Sequence, residues 1–327
     1  MQKLFALLAK LQDGRSHSGQ VLAENIGLTR GAVWSQIKQL QELGIDIHAV
    51  SGKGYRLPGG YEFLDAEKIS RDWPQLVADS ITQVETVHVT DSTNERLLAA
   101  STEQDIHGRV FLSEYQTAGR GRRGASWLAP PGSGLCLSLA WRFANPPEAL
   151  GALSLVVGLA VRRALTALGG RDIQVKWPND IYIEDARGYA KIAGILIELR
   201  SELAGPSMVV IGLGLNLALS HAIREKIDQN ASDLASVCDE PPGRNQTAGL
   251  VIEEIIKSLL RFNEKGFGDF LSEWRSADFL KGHQIKLHMH NNAVVGEALG
   301  VDDQGLLLMN VAGEVQSHFA GHVELLA

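Results

Sequence analysis

The sequence predicts an α/β chain of the α+β type with three parts: an N-terminal winged helix-turn-helix, a central mixed β-sheet with helices, and a small C-terminal β-barrel. Helical apolar spacing at the start, strands interleaved with helices in the middle, and short turn-broken strands at the end carry this prediction. The 327 residues, 45% of them hydrophobic, are enough for several buried cores. We place the domain boundaries at 1–62, 63–272 and 273–327.

The N-terminal segment has the signals of two helices joined by a tight turn. Ser18 can cap a helix that ends at Gly27, and Thr29 can cap the next helix, which ends at Gly44. Two helices joined by a short glycine-containing turn are typical of a helix-turn-helix, and the strands "IDIHAV" and "YRL" around "SGKG" predict a wing. The residues expected to face DNA are Arg30, Trp34, Ser35, Lys38, Gln39, Lys53 and Arg56.

Charge separates this segment from the rest of the chain. Residues 1–60 carry seven Lys/Arg and four Asp/Glu, a net +3, whereas the whole chain has a net charge of -7. A basic head on an acidic body indicates that only the head contacts nucleic acid. The alternative is a helical docking module whose charges are simply solvated.

The sequence gives little sign of a targeting segment, a membrane span or a metal site. The apolar start "MQKLFALLAK" is too short for a secretory signal, and the run "ALSLVVGLAV" stops at Arg162, so we expect a cytoplasmic protein. The two cysteines, Cys136 and Cys238, have no metal-ligand spacing and are expected to be buried free thiols. His288 and His290 lie on one strand face, for which we expect solvation rather than a metal.

The central segment predicts several strands in succession without intervening helices. This order favours a mixed or largely antiparallel sheet over a doubly wound one. The expected strands are 86–90, 109–114, 135–142, 174–177, 192–200 and 208–213, and the expected helices lie near 92–101, 151–168 and 247–264.

Polar and glycine-rich stretches interrupt this segment where an apolar core would not need them. "DSTNE" has capping-box spacing between Ser92 and Glu95, which predicts exposed hydroxyl and amide groups at a helix start. "KWPND" predicts a proline-bearing turn that exposes Lys176, Asn179 and Asp180. "AKIAGILIE" places Gly194 inside a strand, where a ligand can approach closely.

The loop "EYQTAGRGRRGASW" combines three arginines with three glycines and directly follows a strand. A phosphate-binding loop, a nucleic-acid-binding tail and a disordered spacer all fit that composition. No GxxxxGK[ST] occurs, and "GLGLNL" lacks the third glycine of a dinucleotide fingerprint. Backbone amides and guanidinium groups of this loop are therefore the best candidates for holding a phosphate.

Taken in order, "DSTN", "EYQTAGRGRRG", "KWPND", "KIAGIL" and "GLGLN" behind a winged helix resemble the biotin–protein ligases of the bifunctional type that also repress the biotin operon. The resemblance implies a class II synthetase-like central fold and an SH3-like C-terminal barrel. It implies an ATP- and Mg²⁺-dependent enzyme that forms biotinoyl-5′-adenylate and transfers biotin to a lysine of the carrier protein of acetyl-CoA carboxylase. It further implies operator DNA as a partner, the adenylate as corepressor, and a homodimer that forms when the adenylate binds.

The resemblance also assigns site residues. Lys191, Arg122 and Asp180 are the catalytic candidates. The residues implied to bind biotin are Ser92, Thr93, Asn94, Gln116, Arg120, Gly121, Arg122, Lys191 and Gly194. Those implied to bind ATP or the adenylate are Gly119, Arg120, Arg122, Trp127, Asn179 and Asn216, and Mg²⁺ is expected to arrive with the ATP phosphates.

The sequence departs from the family at two places. The chain ends in "GHVELLA", with His322 and Leu326 where an acid and an arginine are expected, so no site residue is assigned to the C-terminal segment. "GAS" precedes Trp127 where another basic residue often stands. A ligase without DNA regulation, a lipoate-type ligase and a repressor with an inactive catalytic fold remain the alternatives.

Overall fold

The structure, a computed structural model, describes residues 1–143, 149–185, 188–201, 207–289 and 292–326. The strands within these ranges form three sheets, of two, seven and five strands. His290, which the sequence pairs with His288, lies outside the described residues.

The N-terminal segment folds as a winged helix-turn-helix, as predicted. The Ser18 hydroxyl accepts a hydrogen bond from the Val21 amide at 3.1 Å, and the Thr29 hydroxyl accepts one from the Ala32 amide at 3.2 Å. Gly27 ends its helix in the left-handed conformation, with φ 63°. Its elements are α1 (Gln2–Leu11), α2 (Gly19–Ile26), α3 (Arg30–Glu42), β1 (His48–Val50) and β2 (Gly54–Arg56).

The central segment is one mixed sheet with helices packed against it, as predicted. Its strands are β3 (Gln83–Thr90), β4 (Arg109–Gln116), β5 (Gly134–Phe143), β6 (Gln174–Lys176), β7 (Asp180–Asp185), β8 (Gly188–Ser201) and β9 (Ser207–Asn216). Its helices are α4 (Ala66–Ser70), α5 (Gln75–Ser80), α6 (Thr93–Ala100), α7 (Leu153–Ala167), α8 (His221–Arg224), α9 (Arg244–Lys265) and α10 (Leu271–Ala277). The strand order is β3-β4-β5-β9-β8-β7-β6, in which β3 and β4 run parallel and the other neighbours antiparallel.

Strand β7 is absent from the sequence prediction, which treats "KWPND" only as a turn. The turn is real but ends at once, because Asp180 already pairs with Lys176 on β6 and with Gly194 on β8. Ile181 and Ile183 are buried, so two alternating apolar side chains are enough to hold a strand between two longer partners.

Helix α7 and the turn before it form an 18-residue window, Leu150–Ala167. By length and composition, this window is apolar enough to cross a membrane. Of that window, 61% is buried inside the protein, where α7 packs against α9 and the central sheet. The helix also continues past Arg162, where the sequence prediction ends the apolar run. This burial is typical of a core helix.

The C-terminal segment forms a five-stranded antiparallel sheet, consistent with the predicted small β domain, whereas its closure into an SH3-like barrel remains a prediction. The strand order is β13-β12-β11-β10-β14. The strands are β10 (Gln284–His288), β11 (Ala293–Val301), β12 (Leu307–Val311), β13 (Glu314–His318) and β14 (His322–Leu325).

A buried ion pair of the central domain also binds the segment that follows the helix-turn-helix. Arg244 donates to Glu114 at 2.7 Å, and Tyr61, from the segment between the two parts, donates to the same carboxylate at 2.7 Å. Burial raises the pKa of the Tyr61 hydroxyl, so it stays a donor. Phe5 of α1 also stacks on His88 of β3, with ring centroids 4.9 Å apart. The helix-turn-helix is therefore packed against the central domain.

Candidate active site

A cavity of about 600 Å³ opens on the face of the central sheet that carries α6. Its walls come from the start of α6, the loop 117–127, strands β6 to β9 and one edge of the C-terminal sheet. Twelve of the fourteen biotin-, ATP- and catalytic-site residues assigned above line it: Ser92, Thr93, Asn94, Gln116, Arg120, Gly121, Arg122, Trp127, Asn179, Asp180, Lys191 and Gly194.

One end of the cavity is neutral, polar and buried. The prediction that "DSTN" is exposed is wrong, because Thr93 and Asn94 are only 4% and 2% exposed. The Gln116 side-chain oxygen accepts from the Thr93 amide at 2.8 Å and from its hydroxyl at 3.1 Å. The Ser138 hydroxyl lies 2.5 Å from Asn94 Oδ1 and 2.7 Å from Thr93 Oγ1. Tertiary contacts therefore fix these groups.

The predicted capping box is also wrong. Ser92 occupies the N-cap position of α6, but its side chain makes no capping hydrogen bond. The Glu95 carboxylate instead forms an ion pair with Arg120 of the loop. A pattern that predicts local capping thus serves a contact between distant segments.

The loop 117–127 folds back as a hairpin over the cavity. The Gly121 amide donates to the Ala125 carbonyl at 2.7 Å, and the Trp127 amide donates to the Gly119 carbonyl at 2.9 Å. A Cβ on Gly119 would lie 2.4 Å from the Trp127 carbonyl oxygen, so glycine is required there to close the hairpin. Gly119 thus shapes the loop, and it is not among the described residues that line the cavity.

Arginine side chains of the loop reach different partners. Arg122 donates to the Asn179 side-chain oxygen at 3.0 Å. Burial lowers the pKa of the Arg122 guanidinium, although the nearby Asp180 carboxylate opposes that effect. Arg120 instead donates to Glu198 of β8 at 2.7 Å. Both arginines line the cavity, but Arg122 ties the loop to the turn after β6 and Arg120 ties it to β8.

Cationic side chains dominate the other end of the cavity. Lys191 Nζ lies 2.8 Å from Asp180 Oδ1 and 5.7 Å from the centre of the Trp127 ring. The carboxylate of Asp180 is the acidic side chain among the described lining residues. The cations that line the cavity with it are Arg122, Arg123, Lys176 and Lys191, while Arg120, which also lines the cavity, is paired with Glu95 and Glu198. Such an excess of positive charge in a confined site attracts an anion.

The prediction that "KWPND" exposes Lys176 is wrong. Lys176 is 8% exposed, and its ammonium lies 4.6 Å from the centre of the Tyr182 ring. Burial lowers the pKa of Lys176, Lys191 lowers it further, and Asp180 raises it. A desolvated ammonium in the cavity wall gains more than an exposed one when an anion binds. The sequence analysis left Lys176 out of the site.

A second cavity, of about 440 Å³, lies beyond Trp127 and Lys191, which line both. Asn216 lines this one, where its side-chain amide donates to the Ser232 carbonyl at 3.0 Å. The indole N–H of Trp127 is buried and has no hydrogen-bond partner among the described residues. The sequence analysis missed the other residues that line this cavity, which are Ala125, Ser126, Leu128, Lys226, Ile227, Asp228, Gln229 and Ala231.

Two glycines of β9 leave space for side chains of the cavity walls. A Cβ on Gly214 would lie 2.2 Å from the Trp127 ring, and one on Gly212 would lie 2.3 Å from Asn94 Oδ1. The two glycines of "GLGLN" therefore leave room for the side chains of Asn94 and Trp127. The sequence alone does not reveal this packing.

The C-terminal sheet contributes to the main cavity, which the sequence analysis did not foresee. His288 and His322 line the wall together with Gly321 and Val323. His288 and His322 pair directly across β10 and β14, and the Glu324 carboxylate lies 2.8 Å from the His288 ring nitrogen. Burial lowers the pKa of His322, which favours its neutral form.

The residues expected to contact DNA lie far from this cavity in sequence and share the outer surface of the head. Trp34 is 56% exposed, and Lys38 Nζ lies 5.9 Å from the centre of its ring. Arg56 donates to the Gly14 carbonyl at 2.8 Å. The remaining ones, all exposed, are Arg30, Ser35, Gln39 and Lys53.

Comparison with known sequences is decisive at this point. Residues 86–216 match the Biotin/lipoate A/B protein ligase family, and residues 3–56 match an HTH domain. The bifunctional ligase/repressor BirA of Escherichia coli (strain K12) is 36% identical over 323 residues, which cover 99% of this chain and 96% of that protein. This chain belongs to the family of bifunctional biotin ligase/repressors.

Other relatives of this ligase/repressor extend the likeness. The biotin--[acetyl-CoA-carboxylase] ligase of Mycobacterium tuberculosis is 35% identical over 247 residues, 74% of this chain and 88% of that protein. The solved biotin protein ligase from Aquifex aeolicus in complex with biotin and ATP superposes with a TM-score of 0.64 at 27% identity, and covers 75% of this chain and 99% of that one.

Proposed function

We propose that this ligase joins biotin to ATP, giving biotinoyl-5′-adenylate and pyrophosphate, and then transfers biotin to one lysine of the biotin carboxyl carrier protein of acetyl-CoA carboxylase. The observation that carries the proposal is one cavity with a buried neutral end and a cationic end. Biotin has the same polarity, with a neutral ureido ring at one end and a carboxylate at the other. Membership of the biotin ligase family supports it further.

The neutral end is proposed to bind the ureido ring. Ser92, Thr93, Asn94 and Gln116 offer hydroxyl and amide groups in a buried setting. A neutral ring that both donates and accepts hydrogen bonds needs such matched partners more than it needs charges. Because the groups are already fixed by one another, little ordering cost remains when the ring binds.

The cationic end is proposed to hold the reacting groups of the first step. A biotin carboxylate oxygen forms a bond to the α-phosphorus, and the bond from that phosphorus to the bridging oxygen of pyrophosphate breaks. Lys191 and Arg122 stabilise the negative charge that both anions bring together. Gly194, on the same strand as Lys191, leaves room for the Lys191 ammonium and the Trp127 ring, because a Cβ there would lie 3.2 Å from Lys191 Nζ. Gly121, in the loop itself, also lines the cavity and is proposed to contact biotin.

The adenosine is proposed to lie in the second cavity. Trp127 separates the two cavities, and its unpartnered indole N–H is available to a ligand. Asn216 and the segment 226–231 complete the walls there. Mg²⁺ is proposed to enter with the ATP phosphates, where Asn179 and Asp180 are the nearest oxygen donors of the motif "KWPND".

The second step is proposed to occur in the main cavity. The carrier lysine nitrogen forms a bond to the acyl carbon, the bond from that carbon to the phosphate oxygen breaks, and AMP leaves. Asp180 is the carboxylate placed to accept the proton released by the amine, since it already contacts Lys191. The hairpin loop excludes water, which would otherwise hydrolyse the adenylate.

The head is proposed to bind operator DNA with the adenylate as corepressor. Arg30, Lys38, Lys53 and Arg56 supply phosphate contacts, while Trp34, Ser35 and Gln39 lie where base edges can be reached. One head contacts one half-site, so we propose a homodimer that forms when the adenylate binds. Since ATP and operator DNA occur together in the cytoplasm, we propose that location.

Intact mass spectrometry tests the enzymatic proposal. A biotin-carrier domain is incubated with this protein, biotin, ATP and Mg²⁺, and we expect a gain of one biotinyl group on a single lysine. If biotin binds but no mass is gained, the protein is a repressor without ligase activity. If lipoate is attached and biotin is not, the substrate assignment is wrong.

Operator titration tests the regulatory proposal. We expect the adenylate to strengthen binding to operator DNA and to increase the dimer fraction in sedimentation. DNA binding that does not depend on the adenylate would leave a ligase without this regulation.

A further inference from the structure

We propose that Glu198 is a positioning residue that couples recognition of the biotin ring to closure of the loop 117–127. The inference rests on the proposed function in that it uses the neutral end of the cavity as the ring site. It adds a residue that ends the stretch "AKIAGILIE" but is not among the assigned site residues.

One carboxylate, that of Glu198, contacts both the ring site and the loop. Its Oε1 accepts from the Arg120 guanidinium at 2.7 Å, and its Oε2 accepts from Asn94 Nδ2 at 2.9 Å. The side chain is 21% exposed, whereas that of Arg120 is 40% exposed. One partner belongs to the ring site and the other to the loop.

The Asn94 side chain has a single orientation available. Ser138 Oγ lies 2.5 Å from its Oδ1, and the missing Cβ of Gly212 provides the space that Oδ1 fills. Its Nδ2 also lies 3.4 Å from the Leu196 carbonyl oxygen. A rotation of the amide would turn Nδ2 toward Ser138 and Oδ1 toward the Glu198 carboxylate, which repels it. Whatever fixes Asn94 therefore fixes Glu198.

Arg120 transmits that constraint to the loop. Its backbone is bridged to Ser126 across the hairpin, so a fixed Arg120 side chain holds both arms of the loop. Glu95 of α6, which follows Asn94 directly, gives the same guanidinium a second carboxylate. Two acidic side chains that flank the ring site thus hold the loop by one arginine.

The energetics favour coupling. Opening the loop removes Arg120 and leaves Glu198 partly desolvated with a neutral partner, which costs more than losing an exposed pair. A bound ring that immobilises Asn94 lowers the cost of ordering Glu198, so closure becomes more favourable. By linkage, a closed loop strengthens ring binding by the same factor.

Glu198→Gln tests the connection, since it keeps the size and an acceptor for Asn94 but removes the one of the two charges on Arg120 that also contacts the ring site. Amide hydrogen exchange of residues 117–127 in the ligand-free protein is expected to accelerate about five- to tenfold. Added biotin should slow that exchange in the wild type and slow it less in the variant. Glu198→Asp should recover part of the protection.

The matched control is Glu253→Gln, which breaks an ion pair with Lys257 on α9. It should leave exchange in the loop unchanged. Arg120→Gln should reproduce the effect of Glu198→Gln, and the double variant should exchange no faster than either single one. Additive acceleration, or no acceleration with a native thermal midpoint, would overturn the proposal.

Kinetics separate positioning from a general structural defect. Glu198→Gln should raise the KM for biotin more than it lowers kcat, and should speed adenylate dissociation about fivefold. Equal losses in kcat and thermal midpoint would contradict the coupling role. If the wild type forms no adenylate, the proposed function fails, yet the exchange measurements still decide whether Glu198 holds the loop.

Discussion

The DNA-binding head and the ligand cavity place their polar residues in opposite ways. In the head, Arg30, Trp34 and Lys38 point to solvent while Val33 and Ile37 point to the core. In the cavity, the polar groups are buried and bonded to groups far away in the chain, as Asn94 is to Glu198. A surface site needs only one face of one helix, whereas a cavity is assembled from segments that meet after folding.

This difference explains which interactions a substitution breaks. An exposed residue of the head can be removed without disturbing its neighbours, so its effect is confined to DNA. A residue in the cavity wall has partners whose own positions depend on it, so its removal changes several groups at once. The following predictions test that contrast, from the largest effect to the smallest.

Lys191→Ala is expected to lower adenylate formation by about 10³-fold, because it removes a cation from the reacting anions and leaves Asp180 without its partner. Biotin- and ATP-dependent pyrophosphate exchange measures it. Lys257→Ala, on the exposed face of α9, is the control and should keep its activity. Unchanged pyrophosphate exchange in Lys191→Ala would remove that residue from the site.

Gly214→Ala is expected to weaken adenylate binding roughly 10- to 100-fold, since a new methyl group would overlap the Trp127 ring and force it to move. Isothermal titration with a non-hydrolysable adenylate analogue measures the change. The control is Gly268→Ala, because a Cβ there meets open space. Wild-type affinity in Gly214→Ala would mean that Trp127 does not need its present position.

Lys38→Gln is expected to weaken DNA binding severalfold and to reduce the salt dependence of binding by about one counterion. Its ligase rate should equal that of the wild type, because the head and the cavity use separate groups. Lys265→Gln, at the exposed end of α9, should change neither property. A lowered ligase rate in Lys38→Gln would show that the two regions are not independent.

His107 is expected to give a small pH dependence of stability. Its Nδ1 accepts from the Arg142 amide at 3.1 Å, and burial lowers its pKa, an effect that Asp105 opposes and Arg142 reinforces. Because the folded state binds this proton less readily, the contribution is complete above about pH 6.5 and is lost as the pH falls below it. His107→Asn should flatten the urea-unfolding free energy between pH 7.5 and 5.

The exposed His221 supplies the control for that measurement, and His221→Asn should retain the wild-type slope. An equal slope in all three proteins would show that His107 does not contribute.

Sequence patterns were most reliable where structure is local. Ser18, Gly27 and Thr29 predicted the ends of two helices because caps depend on neighbouring residues. The same reasoning was wrong for Ser92 and Glu95, because Glu95 finds a better partner in Arg120. Burial of Lys176 was also missed, since its ring partner Tyr182 lies on a strand that was not predicted.

The order of motifs determined the family, the three-part architecture and most residues of the main cavity, because each motif carries its own residue types wherever the chain folds. Tertiary structure alone decided which groups are buried, that Arg120 binds Glu198 while Arg122 binds Asn179, and that His322 joins the wall. The physical reason is that desolvation, ion pairing and close packing depend on distances between segments many residues apart, and no local pattern encodes those distances.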